Sequence, residues 1–85
     1  MAIARERRKT AELVDELKGL IRARYPEARF RVTAMPEGEG TALWTYADAD
    51  LWDLTEVTAD AQFDMMVHDK KFIFVIPMPL EAYRG

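Results

Sequence analysis

The chain predicts an α+β fold: a two-layer sandwich in the order α-β-β-α-β, with two helices on one face of a three-stranded mixed or antiparallel sheet. Three observations carry that expectation. An apolar stripe at helical spacing fills the first part of the chain, an alternating segment follows it, and a run of β-branched and aromatic residues, Phe72 to Ile76, lies near the far end.

The first helix is expected from Ala4 to Arg24. Ala11, Leu13, Val14, Leu17, Leu20 and Ile21 share one face, with Glu12, Asp15, Glu16, Lys18 and Arg22 around it. Pro26 closes the helix, because it pushes Tyr25 out of the helical region and cannot continue the hydrogen-bond ladder. Gly19 and Ala23 leave a narrow strip where another backbone could approach. Arg29 to Met35 then alternates, with Phe30, Val32 and Ala34 on one face and Arg29, Arg31 and Thr33 on the other, the pattern of a half-buried strand. Pro36-Glu37-Gly38-Glu39-Gly40 reads as a hairpin connection, since its glycines can take positive φ. An antiparallel strand from Thr41 to Ala47 follows, with Ala42, Trp44 and Tyr46 on one face and Leu43, Thr45 and Ala47 on the other.

Leu51, Leu54, Val57, Thr58, Ala61 and Met65 mark a second helix, with Asp50 as N-cap, Asp53 in its first turn and a possible kink near Thr58. It ends at the charged turn His68-Asp69-Lys70-Lys71. The all-apolar strand from Phe72 to Ile76 is expected to be covered on both faces and central in the sheet. Pro77 and Pro79 end it. The whole chain, 1–85, reads as one domain, with 1–9 a basic helix end or arm and 77–85 an extended tail.

Composition narrows the function classes. Hydrophobic residues at 49% and charged residues at 32% describe a folded globular chain. The longest apolar run is far shorter than the ~20 residues that cross a bilayer, and Met1-Ala2-Ile3 leads straight into charge, so a cytoplasmic protein with no membrane partner is expected. There is no cysteine and no serine, and His68 is the only histidine, which excludes disulfides, thiolate metal sites and multi-histidine sites. Charge is uneven. Residues 1–31 carry nine basic and five acidic side chains, a net of +4, and 32–85 carry three and ten, a net of −7, giving the overall −3.

Asp48, Asp50 and Asp53 could offer oxygen ligands to a hard cation, but the spacing lacks the turn glycine and distal glutamate of a calcium loop, and helix capping explains the same residues. Glu56, Asp60, Asp64 and His68 recur every four residues and form one stripe on a helix, which suits a solvated acidic face ending in an imidazole near the helix C-terminus. The threonines carry no activating pattern, and no phosphate-binding or zinc-protease motif is present. The expectation is therefore a module without catalysis, cofactor or metal.

Helices on one side only would leave the other face of the sheet bare, and contiguous apolar patches of that kind mark interfaces. The sequence assigns a homodimer surface to Trp44, Tyr46, Ile73 and Val75 as apolar anchors, with Arg29 and Arg31 at its rim. The alternative partner is nucleic acid, with Arg5, Arg7, Arg8 and Lys9 on phosphates and Arg29, Arg31, Trp44 and Tyr46 facing bases. The element order also resembles part of the type II KH topology and that of BolA-like proteins. The resemblance is one of topology, and the GxxG clamp of KH domains is absent.

Overall fold

Helical periodicity, strand alternation and two proline stops settle most of the local structure. The computed structural model describes residues 7–84. Helix α1 spans Thr10–Arg24, strand β1 Arg29–Ala34, strand β2 Thr41–Tyr46, helix α2 Leu51–His68 and strand β3 Ile73–Met78, followed by a single 3₁₀ turn at Leu80–Ala82. The sheet is mixed, in the order β1-β2-β3. β1 and β2 are antiparallel, with Arg31 opposite Trp44. β2 and β3 are parallel, joined through α2, with Trp44 opposite Ile76. The expected α-β-β-α-β sandwich is the fold.

α1 turns Leu13, Val14, Leu17 and Ile21 into the core, and α2 turns Leu54, Thr58 and Met65 inward to meet them. Leu43 and Ile73 close the layer from the sheet side. Each fully buried aliphatic side chain stabilises the fold by about 1.5–3 kcal/mol relative to leaving it in water. Asp50 caps α2 by accepting from the Trp52 N–H at 2.8 Å, and the helix runs unbroken through Thr58, whose hydroxyl donates to the Leu54 carbonyl at 3.0 Å.

Four expectations need correction. α1 begins at Thr10, not Ala4; residues 4–6 lie outside the described part, and Arg8 is held by Asp69 instead of entering the helix. The central strand is β2, not the all-apolar β3. β3 extends through Pro77 to Met78, which an edge strand permits because a proline there need not donate. The segment after it is not an extended tail, since it forms the 3₁₀ turn and the Tyr83 ring packs edge-on against Tyr46 at 5.2 Å.

Candidate functional site

Strand parity decides which side chains share a face. Phe30, Leu43 and Ile73 point to the helices. Arg29, Arg31 and Thr33 of β1, Ala42, Trp44 and Tyr46 of β2, and Phe74, Ile76 and Met78 of β3 point the other way. The sequence therefore brings Arg29, Arg31, Trp44 and Tyr46 together correctly. Ile73 and Val75 belong to the opposite face: Ile73 is buried in the core and Val75 packs against it. Their places on the open face are taken by Phe74 and Ile76. An all-apolar strand has no polar side to show which way it faces, so the sequence could not distinguish the two sets.

The open face is only partly bare. Tyr46 is buried beneath Tyr83, whose ring also has the Arg29 and Arg31 guanidiniums 5.9 Å from its centre. Arg31 donates to the Arg84 carbonyl as well. Trp44 is half-buried and its indole N–H donates to Thr33 Oγ1 at 2.9 Å, which fixes the ring on the sheet. Among the described residues neither Arg29 nor Arg31 forms an ion pair with a carboxylate. Beside them, the end of α1, the start of β1 and the C-terminal segment frame an open concavity of about 710 Å³, lined by Arg22, Pro26, Glu27, Ala28, Arg29, Leu80 and Tyr83. Tyr83 is the functional-face residue that the sequence reading missed; it stands alone after two prolines, where no periodicity marks it.

The basic N-terminal cluster divides. Arg5 lies outside the described residues, and Arg7 and Lys9 are exposed. Arg8 is consumed by carboxylates: its guanidinium donates to Glu16 at 2.6 Å and to Asp69 at 3.2 Å, with Asp64 at 3.4 Å, and its main-chain N–H donates to Asp69 at 2.8 Å. Glu16 and then Asp69 hold that guanidinium above its ordinary pKa.

The Asp48, Asp50 and Asp53 set disperses, whereas Glu56, Asp60, Asp64 and His68 run as one stripe along the unbroken α2. Asp50 is a cap, and Asp53 accepts from the Tyr25 hydroxyl and from Arg24 Nε and Nη2 at 2.9 and 3.2 Å. That places the Asp53 carboxyl below the usual carboxylate range, through the Tyr25 hydrogen bond first and the Arg24 bonds second. His68 Nε2 stands 3.4 Å from Asp64, one helical turn away, with its side chain 53% exposed. Among the described residues no three such groups converge on a point where a metal ion could sit.

A second apolar surface lies on the outer flank of α2. Ala59, Phe63 and Met66 line a groove of about 300 Å³ with Phe72 and Phe74. Phe63 is 64% exposed, and Trp52, on the same flank nearer the helix start, is 78% exposed.

No family model, curated protein or solved structure matches this chain. The likeness to KH and BolA-like topologies thus rests on element order alone, and the geometry of the sheet carries the functional argument. Among the described residues no helix is long and apolar enough to cross a membrane.

Proposed function

We propose that this chain is a small cytoplasmic binding or regulatory module that works as a homodimer, without catalysis. The observation that supports the reading is the one-sided arrangement of the helices. It leaves Trp44, Phe74 and Ile76 on the opposite face of the sheet, with Arg29 and Arg31 along one side, an apolar centre with a cationic border. The fixed indole of Trp44 suits such a surface, since an aromatic ring contributes contact area at small conformational cost.

Size-exclusion chromatography with light scattering, run at low and moderate salt with absorbance at 260 and 280 nm, tests it. The reading expects a mass twice the 9.8 kDa chain without excess 260 nm absorbance; a monomer at every concentration overturns it. Trp44→Glu then asks where the second copy sits. A monomeric, folded variant places it on the open face, and a dimeric one leaves that face to another partner.

The juxtaposition of Arg29, Arg31 and Trp44 favours a second reading, a single-stranded nucleic acid laid on the same face. Binding of a labelled oligonucleotide should then weaken by about one decade between roughly 50 and 200 mM salt if about three phosphates are contacted. Binding that is absent, or indifferent to salt, removes this reading.

A further inference from the structure

We propose that a second copy of this chain pairs with the free edge of β1, antiparallel and centred on Val32, joining two three-stranded sheets into one. The proposal rests on the homodimer reading above but seats the second copy on the sheet edge, leaving the open face to a further partner. Its starting point is that the fold treats its two sheet edges differently.

The β3 edge is blocked in part. The carbonyls of Phe72 and Met78 accept from β2, so by alternation the backbone groups of Ile73, Val75 and Pro77 point outward. Pro77 has no N–H to offer there, and the Gln62 amide of α2 donates to the Ile73 carbonyl at 2.8 Å. Prolines and covering helices are the usual devices against unwanted strand addition.

Among the described residues the β1 edge has neither device. The Met35 N–H donates to the Gly40 carbonyl, which fixes Thr33, Arg31 and Arg29 as the residues bonded to β2. The N–H and C=O groups of Phe30, Val32 and Ala34 therefore face outward, with no proline among them. The helices also leave this strand short of cover. Val32, on the helix side of the sheet, is 45% exposed, and Ala34 beside it is exposed too.

Chemistry selects the occupant. A strand is what satisfies such an edge, and this strand is complementary to itself. With Val32 opposite Val32, each Phe30 faces an Ala34, large against small, and about six main-chain hydrogen bonds form reciprocally. The charges agree with the same orientation. β1 begins with Arg29 and Arg31, which lack a carboxylate in their own chain among the described residues, and runs into a hairpin carrying exposed Glu37 and Glu39. Antiparallel pairing sets Arg29 of one copy diagonal to Glu37 of the other at both ends of the interface, with exposed Glu27 also near that Glu37, whereas parallel pairing would set Arg29 and Arg31 beside the same arginines of the other copy. Such a dimer keeps the open face of Trp44 and Ile76 free and doubles its length.

Light scattering on variants tests the interface. Val32→Pro removes the central edge N–H, which the single chain does not use, and Val32→Lys points a charge into the centre of the seam. Each should raise the dimer dissociation constant about tenfold or more while leaving the far-ultraviolet circular dichroism unchanged. Arg29→Glu should weaken the dimer, and adding Glu37→Arg should restore it; Trp44→Glu should remain dimeric. If the wild-type chain is a dimer and both Val32 variants stay folded and dimeric, the edge is not the interface, and loss of the dimer in Trp44→Glu would move it to the open face. A wild-type chain that is monomeric throughout overturns the homodimer reading together with this one.

Discussion

Asp69 is a carboxylate with no exposed side-chain surface, placed directly after the last residue of α2. It accepts from both the main chain and the guanidinium of Arg8, 61 residues earlier, and so ties the approach to α1 onto the end of α2. A buried charge is tolerated only while its partners remain, and breaking such a pair costs far more than the pair itself contributes. Asp69→Ala removes the acceptor shared by the Arg8 main-chain N–H and guanidinium, leaving the guanidinium to Glu16 and Asp64. The expected loss is about 1–3 kcal/mol of unfolding free energy, measured as a fall in the urea midpoint. Gly40 is constrained for a different reason. Its φ is +121°, and a Cβ there would stand 2.8 Å from the Phe74 ring and 3.0 Å from the Phe72 carbonyl, whereas Gly38, at φ +75°, has open space around it. Gly40→Ala should cost about 2 kcal/mol or more, strain and crowding together, and Gly38→Ala about 1 kcal/mol from strain alone. Equal effects on the thermal midpoint would refute the crowding at Gly40.

At the scale of the element, the end of α2 shows a local rule broken. Lys71 N–H donates to the Met65 carbonyl at 3.2 Å and Asp69 N–H to the same oxygen at 3.1 Å, which wraps the chain out of the helix through Lys70 at φ +56°. Glycine is the residue that this left-handed position favours, since a Cβ there meets the following carbonyl. Lys70→Gly should stabilise the protein by about 1 kcal/mol, raising the thermal midpoint by some 4–8 °C for a domain of this size. An unchanged or lower midpoint would mean that the lysine contributes something its strain conceals. The strands show how far pattern reading reaches. β1 and β2 alternate, so the residues that share a face within each strand were legible, but the register that sets Arg31 beside Trp44, and the face of β2 that meets the helices, come from the assembled sheet. β3 does not alternate, and its apolarity suggested a central strand. Apolarity reports which faces are covered, not how many neighbours a strand has, and the crossover through α2 sets β3 at the edge. The Arg8–Asp69 tie and the Tyr83 cover escaped for a related reason, because each joins chain segments with no shared periodicity.

The molecule as a whole is held at its other helix junction by Asp53, near the start of α2, which accepts from Arg24 and Tyr25 at the end of α1. The sequence marked Asp53 as a first-turn residue and as one of three candidate cation ligands; its partners arrive because α1 and α2 pack side by side over the sheet, a feature of the assembled layer that no local pattern contains. The sign of the resulting pH dependence follows from the lowered Asp53 pKa. Its carboxylate is favoured in the folded chain, so the contribution is fully present above the ordinary carboxylate pKa and is lost as pH falls through the lower folded value. Asp53→Asn keeps a similar shape and removes the charge. The thermal midpoint of the wild type should exceed that of the variant at neutral pH, and the difference should shrink as pH drops below about 5 and vanish at the acid end. Tyr25→Phe removes the hydrogen bond that contributes most to the shift and should move the decline towards the ordinary carboxylate range, while Arg24→Ala should do so to a smaller degree. A gap between wild type and Asp53→Asn that stays constant from neutral to strongly acidic pH would show that the junction is held by packing and not by this carboxylate.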